Sequence, residues 1–426
     1  MNALKDTRIC VIGLGYVGLP LARLFSTKYP TIGFDMSQRR VDALMAGHDA
    51  TLEVSDELLQ EAIDKHGFLC TTDLEKIRGC NFYVVAVPTP VDENNRPDLR
   101  PLWGASETVG RVISKGDVVV YESTVYPGVT EEECLPVVER VSGLKFNEDF
   151  FAGYSPERIN PGDKLHTVEK IQKVTSGSTP EVADYVDAVY GSVLVNGTHK
   201  APSIRVAEAS KIIENSQRDV NIAFMNELAK IFNAMGIDTH DVIEAAATKW
   251  NFIKLSPGLV GGHCISVDPY YLIQKAQVYG VLPRVMYNAR RLNDGMGAYV
   301  ANQAIKCMNK KGVLVKNAKI LILGITFKEN CPDIRNTKVV DIYHTLDEYT
   351  HRITVCDPWA NPERVLHEYG IEVVSGIPAG ETFDAVILAV AHKEFQGIDV
   401  RSLVREGGVV YDVKGFLDRD EVDARL

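Results

Sequence analysis

The eight cysteines of this 426-residue chain form no Cys-x-x-Cys pair. They are scattered, at Cys10, Cys70, Cys80, Cys134, Cys264, Cys307, Cys331 and Cys356. Because zinc sites and small disulfide scaffolds need closely spaced cysteines, this spacing argues against both. It predicts reduced thiols in a cytoplasmic protein and no metal site.

Long hydrophobic runs are absent as well. No run approaches the roughly 20 residues that a membrane-spanning helix needs. The first residues, MNALKDTRICVIGLG, lead directly into an apolar strand and a glycine loop. We therefore expect neither a signal peptide nor a membrane contact.

Positive charge is in deficit, with 46 Lys and Arg residues against 57 Asp and Glu and a formal net charge of −11. This balance argues against a broad surface for nucleic acid or anionic lipid. A nucleotide ligand is still compatible, because a loop at a helix N-terminus binds phosphate locally. The length and a hydrophobic content of 45% predict two or three domains with a large core.

A glycine motif, GLGYVG at residues 13–18, stands between the apolar strand Arg8–Ile12 and the helical stretch Leu19–Thr27. In this context the first glycine makes a tight turn, the second admits a pyrophosphate and the third lets helix and strand pack. The helix N-terminus then faces the phosphates. The predicted dinucleotide-binding residues are Gly13, Gly15, Tyr16, Val17 and Gly18.

A second predicted strand, Thr31–Phe34, ends at Asp35. A carboxylate at this position bonds a ribose diol and repels a 2′-phosphate, so the sequence favours NAD over NADP. Arg39 and Arg40 follow closely and weaken that exclusion. The alternative is an acidic strand end that merely faces water.

Further apolar segments alternate with helical ones, and we predict strands at Phe82–Val87, Val118–Tyr121, Phe151–Tyr154 and Lys173–Ser176. This alternation is typical of a doubly wound parallel sheet, in which ligands bind beyond the carboxyl ends of the strands. Loops at those ends carry Thr89, Thr124 and Glu157, which either serve a site or merely form turns.

The stretch from residue 203 to about 232 lacks glycine and proline, and its apolar residues recur at helical spacing. We predict one long helix that packs against its copy in a second subunit through Ile222, Met225 and Ile231. Lys211 and Asn215 are four residues apart and share one face. They form either a solvated pair or a pair directed into a cleft.

A second α/β unit is predicted near residue 319, with strands Lys319–Gly324, Ile353–Asp357, Ala385–Val390 and Val409–Val413. The loop after its first strand, FKENCPDIRN, carries Lys328 and Arg335 but no G-x-G-x-x-G motif, which indicates a different nucleotide site. The fold class is therefore α/β, with two Rossmann-like doubly wound parallel sheets joined by a helical middle domain. The predicted domains are residues 1–200, 201–314 and 315–426.

The stretch SPGLVGGHCISVDPYY, residues 256–271, places Cys264 just after Gly261 and Gly262 and four residues before Asp268. Two glycines let backbone come close to a ligand. A thiol in such a place is either a nucleophile or a small buried residue after a glycine turn.

Six segments carry a resemblance to a known family: YESTVYPG, GYSPERINPGDK, KWNF, PGLVGGHCISVDPYYL, ARRLNDGMG and ILGITFKENCPDIRNT. Along nearly its whole length the chain resembles the nucleotide-sugar 6-dehydrogenases, which include the UDP-glucose and GDP-mannose dehydrogenases. The resemblance implies oxidation of a sugar C6 alcohol to a uronic acid with two NAD, for polysaccharide precursors. It also implies a homodimer or a higher homo-oligomer.

The resemblance implies the following site residues. NAD contacts come from the glycine motif together with Asp35, Arg40, Thr89, Thr124 and Arg335. The nucleophile is Cys264, which forms a thiohemiacetal and a thioester, and it is surrounded by Lys211, Asn215, Asp268, Glu157 and Thr124. The nucleotide-sugar is bound by Glu157, Arg158, Lys211, Asn215, Gly261, Gly262, Lys328 and Lys414.

Two departures from the UDP-glucose enzymes bear on the substrate. Val267 stands where those enzymes carry a lysine, and Arg158 stands where they carry an aromatic residue. Both point to N-acetylated sugars, and within the family the chain is most similar to UDP-N-acetylglucosamine 6-dehydrogenases of the Vi-antigen type. UDP-N-acetylgalactosamine, UDP-N-acetylmannosamine and UDP-glucose stay open as substrates.

Two other functions remain as alternatives. A 2-hydroxyacid or sugar-acid dehydrogenase would transfer one hydride and need no cysteine. A non-catalytic NAD-binding scaffold would have no use for Cys264, Lys211, Asn215, Asp268 and Glu157 together.

Overall fold

The computed structural model describes residues 3–92, 96–158, 167–262 and 264–426. It divides into two compact units, one formed by Met1–Glu214 with Tyr270–Gly280 and the other by Asn215–Pro269 with Val281–Leu426. The three-part division of the sequence stays a prediction, and residues 159–164 of the GYSPERINPGDK segment lie outside the described ranges. Among the helices of those ranges, none is long and apolar enough to cross a membrane.

The first unit is built on a six-stranded parallel sheet of order β3-β2-β1-β4-β5-β6. Its strands are β1 Ile9–Ile12, β2 Thr31–Phe34, β3 Leu69–Thr71, β4 Phe82–Val85, β5 Val118–Tyr121 and β6 Phe151–Tyr154. Its helices are α1 Gly18–Ser26, α2 Gln38–Met45, α3 Asp56–His66, α4 Leu74–Ile77, α5 Arg100–Gly110, α6 Leu135–Ser142 and α7 Pro180–Gly191. The strands β1, β4 and β5 are buried along their whole length, as expected of a sheet covered on both faces.

One predicted strand does not join this sheet. Lys173–Thr175 forms β7, which pairs in parallel with β8, Thr198–Lys200, in a separate two-stranded sheet. Its segment meets β6 only through an antiparallel bridge between Gly153 and Gly177, so it cannot continue the parallel ladder. The sequence predicted that 173–176 belongs to the large parallel sheet, and this was wrong. The short strand β3 was not predicted.

The second unit repeats the arrangement, with sheet order β11-β10-β9-β12-β13-β14. Its strands are β9 Ile320–Leu323, β10 Ile353–Cys356, β11 Val373–Val374, β12 Phe383–Leu388, β13 Val404–Asp412 and β14 Ala424–Arg425. The two-residue strands β11 and β14 were not predicted, because so short a segment has no periodicity. In both sheets the strand order reverses beside the first strand, and ligands of such sheets bind at this edge.

The long predicted helix is present as α8, Ile204–Met235. Ser203 accepts a hydrogen bond from the N–H of Val206 at 3.2 Å, which fixes where the helix begins. The remaining helices are α9 Thr239–Ala247, α10 Asp268–Val278, α11 Arg284–Asp294, α12 Met296–Lys310, α13 Val339–Asp347 and α14 Pro362–Tyr369.

The outward face of α8 differs from the one predicted. Met225 is buried within the chain and Ile222 is half-buried, whereas Ile231 is exposed. A stripe of exposed apolar residues instead consists of Val206, Ile213, Phe224, Ile231 and Met235, each at least 46% exposed. At 100° per residue these positions fall within about 40° of one another around the helix.

Candidate active site

The glycine motif forms the turn between β1 and α1. Gly13 has a φ of 92°, and a Cβ there would lie 2.8 Å from the carbonyl oxygen of Ala86. A Cβ on Gly18 would overlap the carbonyl oxygen of Gly13, so helix and strand pack only with glycine at this position. Gly15 has no atom within 4 Å of its Cβ position. That open space fits the close approach of a pyrophosphate to the backbone.

Asp35 follows β2 and faces the glycine turn. Its carboxylate accepts hydrogen bonds from the N–H of Leu14 at 3.0 Å and of Ser37 at 2.9 Å. Arg40 donates to the carbonyl oxygen of Leu14 at 2.8 Å and pairs with buried Asp49 at 2.8 Å. These partners hold the Arg40 side chain against the glycine turn and Asp49.

Three predicted site residues follow neighbouring strands of the first sheet. Thr89, Thr124 and Glu157 come after β4, β5 and β6, which are adjacent in the sheet order. Both threonines are half-buried, as are Tyr16 and Val17 in the glycine motif. The sequence was therefore right that these groups share the carboxyl edge of one parallel sheet.

Glu157 is buried beside a second carboxylate and a lysine. The ammonium of Lys173 lies 3.5 Å from Glu157 Oε2 and 2.6 Å from Glu122 Oε2. Lys173 and Glu122 are fully buried and Glu157 is only 7% exposed. Burial raises the pKa of Glu122 to about 7, with Lys173 acting in the opposite direction and the charge of Glu157 adding to the rise.

Arg158, a predicted substrate ligand, points to α8. It pairs with Glu214 at 2.8 Å and donates to the carbonyl oxygen of Gln172 at 2.8 Å. Lys211 and Asn215, also on α8, are each only 6% exposed. The reading of these two as a solvated surface pair is therefore wrong.

Cys264 belongs to a glycine-rich segment of the second unit whose backbone is fixed at several points. The side chain of buried Asn226 donates to the carbonyl oxygen of Gly258 at 3.0 Å and accepts from its N–H at 2.8 Å. A Cβ on Gly261 would lie 2.7 Å from the carbonyl oxygen of Asn336. Gly262 has a φ of 84°, and a Cβ there would lie 2.8 Å from the ring of Phe327.

Cys264 itself is half-exposed and lies just before α10. Its carbonyl oxygen accepts from the N–H groups of Val267 at 3.1 Å and Asp268 at 2.8 Å. Asp268 is buried and accepts from the side-chain amide of Asn215 at 2.5 Å. The segment therefore carries a half-exposed thiol just before a helix whose first residue, Asp268, is an oriented carboxylate.

Three other cysteines, Cys70, Cys134 and Cys356, are buried. Burial raises the pKa of Cys70 and of Cys134 to about 12 and that of Cys356 to about 11. These side chains stay protonated thiols, which are poor nucleophiles. Within the described ranges no three His, Cys, Asp or Glu residues are placed to hold a metal ion.

A small cleft in the second unit lies between the Cys264 segment and the sheet edge. Its lining includes Gly261, Phe327, Thr326, Glu329, Lys338 and Lys414. Lys414, which the sequence predicts to bind the nucleotide-sugar, lines this cleft, and its ammonium lies 3.9 Å from the carboxylate of Glu329. Lys328 is half-buried on the same loop, and Arg335 pairs with Asp333 at 2.6 Å.

The sequence did not predict four residues that belong to these sites: Glu122, Lys173, Asn226 and Lys338. Glu122 had a signal, since it is a charge placed directly after the apolar strand β5. The other three had none, because their partners are far away in the sequence.

The second sheet lacks an equivalent of the first dinucleotide site. Asp357 follows β10 as Asp35 follows β2, but it is fully buried. Its carboxylate accepts from the N–H groups of Ile325, Thr326 and Trp359 and lies 3.1 Å from His392. These partners occupy the group that would bond a ribose, as expected for a different nucleotide site.

Comparison with known proteins agrees with this layout. Models of the UDP-glucose/GDP-mannose dehydrogenase family match in succession: the NAD binding domain over residues 7–194, the central domain over 205–295 and the UDP binding domain over 321–419. A UDP-N-acetyl-D-glucosamine 6-dehydrogenase from Pseudomonas aeruginosa is 57% identical over 426 residues, covering 99% of this chain and 100% of that protein.

A UDP-N-acetyl-D-glucosamine 6-dehydrogenase from Salmonella typhi is 51% identical and covers both chains completely, at 100% of each. Among solved structures, a UDP-D-ManNAc dehydrogenase from Pyrococcus horikoshii matches with a TM-score of 0.88 at 28% identity, over 98% of each chain. Because the three domain models match in succession and full-length relatives are 57% and 51% identical, the chain belongs to the UDP-glucose/GDP-mannose dehydrogenase family.

Proposed function

We propose that the protein oxidises the C6 alcohol of UDP-N-acetylglucosamine to the carboxylate, with a thioester on Cys264 as intermediate. The observation that carries this proposal is the fixed segment that presents half-exposed Cys264 four residues before buried Asp268. The proposal agrees with the activity named for the relatives at 57% and 51% identity. Its product is a precursor for a surface polysaccharide.

Conversion of an alcohol to an acid removes four electrons. NAD, when bound, accepts two of them as hydride, so two NAD are needed for each sugar. The first transfer leaves an aldehyde, to which the sulfur of Cys264 adds to give a thiohemiacetal. The second transfer gives a thioester. Water then cleaves the carbon–sulfur bond, which releases the acid and restores the thiol.

Each side chain around this reaction has a separate proposed role. Lys211 supplies positive charge that stabilises the alkoxide of each step, and Asn215 donates to the same oxygen. Asp268, oriented by Asn215, and the hydroxyl of Thr124 hold the water that takes the alcohol proton. Glu157 removes a proton from the water that attacks the thioester.

The proposed NAD contacts are the glycine motif, Asp35, Arg40, Thr89, Thr124 and, from the second unit, Arg335. The proposed nucleotide-sugar contacts are Arg158, Gly261, Gly262, Lys328 and Lys414. Two positions bear on the choice of sugar. Val267, which is buried, stands where the UDP-glucose enzymes carry a lysine. Arg158, which pairs with Glu214, stands where they carry an aromatic residue.

We further propose a homodimer formed through the exposed stripe on α8. The stripe, Val206, Ile213, Phe224, Ile231 and Met235, lies opposite the buried face of the helix. It extends over roughly 44 Å at 1.5 Å per residue, which is long enough for two copies to pair about a two-fold axis. A cytoplasmic location is proposed as well, since none of the eight cysteines, all within the described ranges, forms a disulfide.

The substrate is tested with a panel of UDP-sugars. We expect kcat/KM for UDP-N-acetylglucosamine to exceed that for UDP-glucose by about tenfold or more. UDP-glucose carries a hydroxyl in place of the acetamide, so the polar groups that bind the acetamide would lack a partner in its complex. The measurement is initial NADH formation by the purified protein. Equal or higher efficiency with UDP-glucose would contradict the proposed substrate but leave the reaction class intact.

Replacing Cys264 tests the covalent step. Cys264→Ala should lower acid formation by about 10³-fold or more, because no thioester can form. Cys264→Ser should complete at most one slow turnover and retain sugar as an ester, seen as a mass shift on the peptide containing residue 264. Cys307→Ala, at another half-buried cysteine, is the matched control and should keep turnover. Full turnover by folded Cys264→Ala would remove the mechanism.

Asp35→Ala tests the cofactor site. Loss of a charged acceptor should weaken NAD affinity roughly 10- to 100-fold and reduce the preference over NADP. Titration calorimetry with NAD and NADP measures both. Asp42→Ala removes an exposed carboxylate of α2 and should change neither affinity. Equal use of NADP by the unmodified protein would refute the assignment.

The dimer is tested by placing charges on the stripe. Phe224→Glu with Ile231→Lys should convert a dimer to a monomer at micromolar concentration in sedimentation experiments, since charges at the centre of an apolar interface are strongly unfavourable. Arg218→Glu, an exposed position about 140° around the helix from Ile213, is the control. A monomeric unmodified protein would contradict the proposal.

A further inference from the structure

The buried cluster around Glu157 contains more charge than packing requires. Lys173 is fully buried, and its ammonium bonds Glu122 at 2.6 Å and the carbonyl oxygen of Pro156 at 3.2 Å, with Glu157 at 3.5 Å. Two carboxylates therefore share one cation out of contact with bulk water. Burial of such a group is costly, and an apolar replacement of similar volume commonly stabilises a fold.

The cluster also fixes the backbone that presents Glu157. The N–H of Glu157 donates to the carbonyl oxygen of Glu122 at 3.4 Å, and Lys173 holds the neighbouring carbonyl of Pro156. The hydroxyl of Tyr190 donates to Glu122 Oε1 at 2.6 Å, and the Lys173 ammonium lies 5.7 Å from the centre of the Tyr190 ring. Glu157 is held as well, because its Oε1 accepts from the N–H of Arg158 at 2.6 Å while its Oε2 faces Lys173.

We infer that Glu122 and Lys173 are positioning residues that set both the orientation and the charge of Glu157 for thioester hydrolysis. This inference rests on the proposed role of Glu157 as the base of that step. Neither Glu122 nor Lys173 contacts the reacting atoms in this account. They act by dividing one positive charge between two carboxylates.

Several charged and titratable groups face Glu157. Besides Glu122, Lys173 and Tyr190, Glu53 interacts with it from the loop before α3. Burial raises the pKa of Glu53 to about 7, and the charges of Asp49 and Glu157 add to the rise. Two carboxylates, Glu122 and Glu53, therefore surround Glu157, and the ammonium of Lys173 is the cation that bonds it.

The arrangement predicts opposite effects from removing its two members. Without the cation, Glu157 faces Glu122 and Glu53 alone, so its pKa should rise and it should be protonated at higher pH. Without the Glu122 charge, Lys173 pairs with Glu157 alone, so the pKa of Glu157 should fall and the carboxylate should be a weaker base. A merely structural cluster would lose stability in both variants without such opposed shifts.

The test compares Lys173→Met, Glu122→Gln and the double variant with Glu157→Gln. Acid release and thioester on Cys264 are followed between about pH 5.5 and 9.5 by rapid quench and mass spectrometry, with UDP-N-acetylglucosamine and NAD as substrates. Glu157→Gln should accumulate thioester. Lys173→Met should move the acidic limb of acid release to higher pH by about one unit or more, as the usual size of such charge effects implies.

Glu122→Gln should move the same limb to lower pH and lower the plateau rate several-fold, and the double variant should return toward the unmodified profile. If Lys173→Met does not fold, Glu122→Gln keeps the test valid, because it leaves Lys173 paired with Glu157. The double variant removes one charge of each sign and leaves the net charge of the cluster unchanged. Thermal melting and the first NADH burst check folding.

The outcomes separate the two ideas. If Glu157→Gln hydrolyses thioester normally, the role of Glu157 fails and this inference falls with it. If Glu157→Gln accumulates thioester but Glu122→Gln and the double variant keep the unmodified pH profile, only the inference is overturned. Limbs shifted in the same direction for both single variants would also overturn it.

Discussion

The segment that carries Cys264 is held by backbone contacts that a side chain would prevent. Gly261 and Gly262 lie so close to Asn336 and Phe327 that a Cβ at either position would displace them, and Asn226 binds both backbone groups of Gly258. Rigid placement matters because covalent catalysis requires the sulfur to meet one carbon of a bound sugar. Without these contacts the thiol would be one more cysteine in a loop, and neither the cleft beside Gly261 nor the carboxylate of Asp268 would be set against it.

The two sheets use one topology for two ligands. Each has the same strand order, and in each a glycine with φ near 91° follows the first strand, at Gly13 and Gly324. The difference lies in one carboxylate. Both carboxylates accept from backbone N–H groups, but Asp35 is half-buried near the open space at Gly15, whereas Asp357 is fully buried and lies 3.1 Å from His392. The shared fold therefore does not determine which nucleotide each sheet binds, and the side chains after the second strand of each sheet determine it.

The sequence predicted most of what depends on local pattern. The glycine motif, Asp35, the long helix and the order of Thr89, Thr124 and Glu157 after adjacent strands follow from periodicity and turn chemistry. It placed Lys173 in the wrong sheet, because a short strand with a buried lysine shows no sign of its pairing partner. Met225 was assigned to the outer face of α8 because apolar spacing marks which residues share a side but not which side faces water. The Glu122–Lys173 pair joins residues 51 positions apart, and no local pattern reports such a contact.

A net charge of −11 is compatible with anionic nucleotide ligands, because phosphate is bound by local groups such as the N–H groups of a helix N-terminus. Lys338 and Lys414 line the cleft of the second unit. The central claim is that both oxidations occur in one protein before the acid leaves. The most direct measurement is the amount of NADH formed per UDP-N-acetylglucosamine consumed, with sugar limiting and NAD in excess. The account predicts two NADH for each sugar and no free aldehyde, and one NADH with accumulated aldehyde would contradict it.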